Sequence, residues 1–106
     1  MDLRIYSVIL ETIGMLKTEM DAIGRKDRDL ENQMRRAAAS MALNVSEGSC
    51  SQGKNVRARF HTAFGSARET LACIEVAVAL GYVASIRPEI AQRMGHIIGT
   101  LRKLVR

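Results

Sequence analysis

Apolar residues recur every three or four positions along four stretches of the chain. In the first stretch this spacing predicts a helix over residues 3–24. Gly24 would end it, with Arg25 and Lys26 as the cations that a helix C-terminus favours. Its apolar face consists of Ile5, Ile9, Ile13, Leu16, Met20 and Ile23.

The second stretch predicts a helix that begins after Asp27 or Asp29, either of which can cap it, and ends at Gly48. Its apolar face consists of Leu30, Met34, Ala37, Ala38, Met41 and Val45. Residues 48–53 (GSCSQG) form the strongest loop signal in the chain.

The third stretch predicts a long helix over residues 54–80, with Gly81 as the residue just beyond its end. Pro88 then stands in the first turn of a fourth helix, where a missing backbone N–H is tolerated. No segment alternates with a period of two. Four amphipathic helices joined by short loops predict an all-α, antiparallel up-down-up-down four-helix bundle, with residues 1–106 as one domain.

Glycine inside a helix costs about 1 kcal/mol relative to alanine, and three such glycines occur at Gly14, Gly95 and Gly99. A packing gain should offset this cost. Small residues are also dense on the second and third helices, among them Ala37, Ala38, Ala63, Ser66 and Ala67. For these residues and for the glycines, close packing of helices within the bundle is the preferred interpretation, and an interface between subunits is the alternative.

The net charge of +5 is concentrated in the second half of the chain. Residues 1–47 carry seven Lys/Arg and eight Asp/Glu, whereas residues 48–106 carry nine Lys/Arg and three Asp/Glu. A cationic half favours an anionic partner such as nucleic acid. Cys50 and Cys73, without a secretion signal, predict free thiols in the cytoplasm.

Signals for catalysis are weak. Residues 48–55 approach the phosphate-binding loop spacing, but Asn55 replaces the required Ser/Thr and a helix precedes the loop. His61 and His96 lack the Glu three positions earlier that a di-metal bundle site uses. Cys50 has no positioned histidine. We expect no enzymatic activity, no cofactor and no metal.

Two basic stretches are free of acidic residues, one over residues 48–68 and one over residues 90–106. Arginine predominates in both, and its planar fork suits phosphate. The predicted nucleic-acid contacts are Lys54, Arg57, Arg59, Arg68, Arg102 and Lys103. Arg35 and Arg36 are possible additions. A surface for a protein partner, or no partner at all, are the alternatives.

Asn44 and Glu47 lie three apart on the second helix and share a face, and Glu69 follows Arg68 on the third. Hydrogen bonds or ion pairs that fix the helix register are the preferred interpretation. Glu47 could also hold Arg57 or Arg59.

Two blocks carry a resemblance to a known family. Residues 35–48 (RRAAASMALNVSEG) and 59–69 (RFHTAFGSARE), followed by the turn at residues 80–82 (LGY), resemble the four-helix bundle proteins encoded within 23S ribosomal RNA intervening sequences, the S23 family. Asn44, Glu47, Gly48 and Glu69 belong to these blocks. The chain departs from the family pattern at Ala42, often proline, and at Ser49 and Cys50, often aromatic or basic.

That family is similar to the accessory variability protein of diversity-generating retroelements. The resemblance implies a bacterial, ring-like homopentamer with a positively charged face that binds structured RNA or DNA, and in one branch a reverse transcriptase. It does not imply an enzyme. The expected function is therefore nucleic-acid binding by a non-enzymatic oligomer, with a protein-interaction scaffold as the alternative.

Overall fold

The computed structural model describes residues 4–50 and 53–106, except for the side chain of Lys54. Four helices are present: α1 (Arg4–Gly24), α2 (Arg28–Cys50), α3 (Lys54–Ala79) and α4 (Pro88–Val105). None of the described residues lies in a β-strand. The all-α fold class is confirmed.

Each helix packs against two neighbours, α1 on α2, α2 on α3, α3 on α4 and α4 on α1, so the four close into a bundle. Two contacts show that α4 and α1 run antiparallel. Arg93 contacts Glu11, whereas Arg87, which immediately precedes α4, contacts Glu19, later in α1. The other neighbours are joined by short turns, which brings consecutive helices together antiparallel. The molecule measures 43 × 24 × 21 Å.

The core runs along the centre of the bundle and receives side chains from all four helices. Its large, fully buried side chains are Ile9, Leu16, Ile23, Met34, Met41, Val45, Phe60, Ile74, Ile90, Met94, Ile97 and Leu101. Nearly all are aliphatic or methionine, and most lie at the apolar spacing seen in the sequence. Two buried threonines, Thr12 and Thr70, donate to carbonyls one turn earlier, at 2.7 and 2.8 Å, so no buried hydroxyl among them is left unsatisfied.

Asp27 caps α2. Its Oδ1 accepts a hydrogen bond from the Leu30 backbone N–H at 2.9 Å, which satisfies one of the free donors at the helix start. Its Oδ2 accepts from the Tyr82 hydroxyl at 3.3 Å. Desolvation first, and then the neighbouring Asp27 carboxylate, raise the pKa of Tyr82. One carboxylate therefore starts α2 and links it to the α3–α4 turn, and of the two predicted caps Asp27 is the one used.

Gly81 ends α3 as predicted. It has a left-handed backbone (φ 79°), which glycine adopts without steric cost. Its N–H donates to the Val78 carbonyl and the N–H of Tyr82 donates to the Ala77 carbonyl, at 3.0 and 2.9 Å. This pair of bonds is the Schellman arrangement. The helix itself closes at Ala79.

The predicted end of α2 at Gly48 is wrong, because the helix continues to Cys50. Gly48 is buried, and a Cβ placed on it would lie 3.1 Å from two ring carbons of Phe60 and 3.3 Å from the Cβ of Arg59. Glycine is needed here for a close approach between helices. The left-handed glycine of this segment is Gly53 (φ 68°), which precedes α3. Residues 51 and 52 of the predicted loop lie outside the described part of the chain.

Close packing within the bundle is confirmed for the small residues of α2 and α3, since Ala37, Ala38, Ala63, Ser66 and Ala67 are buried. It is wrong for Gly14, Gly95 and Gly99, which do not pack within the bundle. All three are exposed, and a Cβ placed on any of them would meet no atom within 4 Å. The cost of a helical glycine at these positions is therefore not offset by contacts inside this chain.

Cys73 is buried and Cys50 is exposed, and both are free thiols. Burial, and to a smaller extent the charge of Glu69, raise the pKa of the Cys73 thiol, so Cys73 stays protonated near neutral pH. Across the described residues, no helix combines the length and the apolar character needed to cross a bilayer.

Candidate nucleic-acid interface

The exposed side of α3 that faces α4 carries a row of cations with one aromatic residue. Arg57, His61, Phe64 and Arg68 follow each other at intervals of three or four residues, so they share one side of the helix. All are exposed except Phe64, which is half-buried. We call this row, together with Arg102 on α4, the cationic face.

Phe64 stands at the centre of the cationic face. The guanidinium carbons of Arg68 and Arg102 lie 5.9 and 5.8 Å from the centroid of its ring, within the range of a cation–π interaction. Arg68 is one turn further along α3, whereas Arg102 comes from the last turn of α4. The ring therefore holds two cations from different helices about the same point of the surface.

Arg57 reaches the end of α4. Its Nε and Nη2 donate to the Val105 carbonyl at 3.1 and 3.0 Å. The last carbonyls of a helix have no intrahelical partner and carry partial negative charge. The guanidinium thus stabilises the C-terminus of α4 and remains exposed.

Arg59 lies on the other side of α3, toward α2. Its Nη1 donates to Asn44 Oδ1 at 3.4 Å, while the Asn44 amide donates to the carbonyl and hydroxyl of Ser40 at 2.9 and 3.1 Å. The Ser40 and Ser66 hydroxyls share a hydrogen bond of 2.7 Å. This network joins α2 to α3, and it places Arg59 away from Arg68 and Arg102.

The remaining predicted contacts lie at two helix ends. Lys103 is exposed in the last turn of α4, beside Arg102. Lys54 is the first residue of α3, and its side chain lies outside the described part of the structure. His61 lies on the cationic face. His96 instead lies on the α1 side of α4, where it lines an apolar cavity of about 520 Å³ with Val8, Phe60 and Leu104.

Carboxylates pair with a different set of arginines. Among the described side chains, the ion pairs are Arg35 with Asp21 and Glu31, Arg87 with Glu19 and Glu89, and Arg93 with Glu11. None of these pairs involves the five described contact candidates, Arg57, Arg59, Arg68, Arg102 and Lys103. The charges of these five are therefore not neutralised by carboxylates inside the described part of the bundle.

Sequence reasoning missed the ion pair between Arg87 and Glu19. Arg87 immediately precedes α4, and its Nε and Nη2 donate to the two carboxylate oxygens of Glu19 at 2.7 and 2.8 Å. A further bond of 2.7 Å goes to the Met15 carbonyl. The Glu19 side chain is only 3% exposed, and the hydrogen bond to Glu19 is the main reason that the pKa of Arg87 is raised. A glutamate at a core position of α1 was the available signal.

Phe64 was also missed as a site residue. Its position four residues before Arg68 was a usable signal, since residues at i and i+4 are neighbours on a helix. The contribution of Arg102 depends on how α4 packs, which the local spacing does not show.

The residues predicted to fix the helix register have different surroundings. Asn44 takes part in the network between α2 and α3. Glu47 and Glu69 are exposed. Glu69 forms no ion pair or side-chain hydrogen bond among the described residues, so the predicted register contact is not seen there. Its charge acts on Cys73, one turn along α3. No group of three potential metal ligands occurs among the described residues.

The fold and this surface define a small four-helix bundle protein with a cationic face. The chain belongs to the 23S rRNA-intervening sequence protein family, whose family model matches residues 9–104. A search of the curated proteins and a search of the solved structures each find no match. The predicted family is therefore confirmed over nearly the whole chain.

Proposed function

We propose that this protein is a non-enzymatic binder of structured RNA or DNA, and that α3 and α4 contact the phosphate backbone. The proposal is supported by a difference between two groups of arginines. Arg35, Arg87 and Arg93 are held by carboxylates, whereas Arg68 and Arg102 are exposed and pair with no carboxylate among the described residues. Guanidinium groups in this state are available to phosphate oxygens.

The arrangement also supports binding that depends little on sequence. The exposed cations follow the surface of two packed helices, and base-edge readout would require polar side chains inserted into a groove. Phosphate neutralisation releases counterions, so the affinity should fall steeply with salt. An activity of the enzyme type has less support, since α2 rather than a strand precedes the glycine-containing loop.

Replacing Arg68 and Arg102 together by glutamine should reduce the salt dependence of RNA binding by about two units of slope in a plot of log affinity against log salt, one for each lost phosphate contact. Filter binding or fluorescence anisotropy with a structured RNA measures this slope. The matched control replaces Arg25 and Arg28 by glutamine and so removes the same charge. Both residues are exposed at the opposite end of the bundle. An equal loss in both variants, or an unchanged slope in the first, would contradict the proposal.

The second candidate is a scaffold that binds another polypeptide, either further copies of this chain or the reverse transcriptase that the resemblance implied. Large exposed apolar side chains favour it: Leu43 on α2 is 63% exposed, Leu10 on α1 47%, and Leu80, just after α3, 56%. The open glycines, such as Gly14 and Gly99, would also allow close approach of a partner helix. A closed ring of subunits, five by the resemblance, would cover such surface.

Replacing Leu43 by glutamate should shift the protein toward the monomer if self-association covers this side chain, because a charge in an apolar interface is poorly solvated. Sedimentation velocity measures the change against the 11.7 kDa chain mass. Gln92→Glu, an exposed site on α4, controls for the added charge. A wild-type protein that sediments as a monomer at micromolar concentration would remove the support for self-association.

A further inference from the structure

We infer that the cluster formed by Phe64, Arg68 and Arg102 is a stacking site for an unpaired nucleobase, so that the nucleic acid presents a loop, a bulge or a single strand at this point. The inference rests on the proposed function. It adds a ligand class, the exposed base, to a surface so far assigned only to phosphate.

The cluster consists of the kinds of group on which nucleobases stack. A phenyl ring and two guanidinium groups offer three flat, delocalised surfaces, with guanidinium carbons 5.9 and 5.8 Å from the ring centroid. Bases stack on aromatic rings and on guanidinium planes. Binding to phosphate alone would require only the cations, and no aromatic ring beside them.

The ring of Phe64 is accessible from the surface of the bundle. Phe64 is packed against the core at one side and half-exposed at the other, and neither arginine beside it forms an ion pair among the described residues. In the unbound protein the ring therefore lies beside two guanidinium groups that pair with no described carboxylate. An incoming base can contact the ring while both guanidiniums remain close enough for its flanking phosphates.

Two glycines of α4 lie next to the cluster. Gly99 and Gly95 lie three and seven residues before Arg102, so they share its side of α4. A Cβ on either glycine would face open space. A bare helix surface beside a stacking site lets a nucleic-acid backbone approach closely.

A duplex cannot satisfy this site, because the faces of its bases are already stacked on one another inside the helix. The cluster consequently predicts a preference for unpaired nucleotides. Since every base has a π-face, the preference should be tolerant of sequence.

The experiment compares three probes of the same length: a single-stranded RNA, the same strand with its bases removed, and the RNA in a duplex. Wild-type protein should bind the single strand more tightly than the abasic strand. Phe64→Leu should weaken binding of the single strand about tenfold, which is the effect of losing one stacked base. Binding of the abasic strand, and the salt slope, should not change.

Tyr6→Leu is the matched control, since Tyr6 is a half-buried aromatic residue on α1, and it should leave all three affinities unchanged. Arg102→Lys tests the plane of the guanidinium while keeping its charge, with Arg28→Lys as its control. It should also weaken single-strand binding selectively. Circular dichroism identifies a variant that fails to fold. If Phe64→Leu does so, Arg102→Lys, a change at an exposed residue, decides the question.

The outcomes separate the two proposals. Equal affinity of the wild type for base-containing and abasic strands, with a steep salt slope, would overturn the stacking site and leave the phosphate surface intact. Binding of no probe in a salt-dependent manner would overturn the proposed function itself. Selective loss with Phe64→Leu supports both.

Discussion

Replacing Phe60 by alanine is expected to lower the free energy of unfolding by about 4 kcal/mol. Phe60 is 2% exposed and is the largest of the fully buried side chains. It lies in the second turn of α3, and its ring contacts the backbone of α2 at Gly48. Removal of the ring would lose its transfer free energy and leave a cavity between the two helices. Since small domains are stable by only about 5–15 kcal/mol, the variant should be much less stable in urea denaturation followed by circular dichroism.

A double-mutant cycle with Gly48 tests the reason for this loss. In the wild-type background a Cβ at Gly48 would lie 3.1 Å from the Phe60 ring, so Gly48→Ala should not yield the gain of up to about 1 kcal/mol that alanine gives in a helix. In the Phe60→Ala background this gain should appear. If Gly48→Ala has the same effect in both backgrounds, the contact between Gly48 and Phe60 does not determine the packing here.

Replacing Arg87 by methionine is the second large expected effect. It leaves the Glu19 carboxylate, 3% exposed, without its two guanidinium hydrogen bonds. An unpaired buried carboxylate destabilises the folded state by about 3 kcal/mol. Arg87 also joins the start of α4 to the Met15 carbonyl, so the variant should separate α4 from α1 at this end of the bundle. Urea denaturation measures the loss.

The control for this prediction is the double variant Glu19→Met with Arg87→Met. Replacing both partners of a buried ion pair by apolar residues is often nearly neutral, so the double variant should be more stable than Arg87→Met alone. Glu89→Gln removes the exposed and longer contact of 3.8 Å and should change stability by less than about 1 kcal/mol. A double variant less stable than the single one would mean that the pair, and not the unpaired charge, supplies the stability.

These two sites matter for the proposed function because they fix the two helices that carry the cationic face. Phe60 and Gly48 fix the start of α3, the segment that carries Arg57 and the rest of the cationic face. Arg87 and Glu19 fix the start of α4, which carries Arg102 at its far end. The cationic face requires both helices to be held in register, because the ring of Phe64 receives one guanidinium from each.

Most helix boundaries could be predicted because their signals are local. Asp27 supplies a cap through a bond to a backbone N–H three residues later, Gly81 adopts a left-handed backbone that glycine favours, and Pro88 fits the first turn of α4. Gly48 shows the limit of such signals. The residue type fits a helix end and a close packing contact equally well, and the choice depends on where Phe60 lies after folding.

For the candidate site, too, some features follow from the local sequence and others depend on how the helices pack. The sequence by itself determined the four amphipathic helices, the family and the clustering of positive charge in the second half of the chain, because periodicity, motif and composition are properties of neighbouring residues. Only the tertiary structure decided which arginines remain available. Arg87 meets Glu19 across 68 residues and Arg93 meets Glu11 across 82, whereas Arg68 and Arg102 meet at Phe64. Electrostatic pairing acts through distances of a few ångströms in space, and the packing of α4 against α1 and α3 sets those distances.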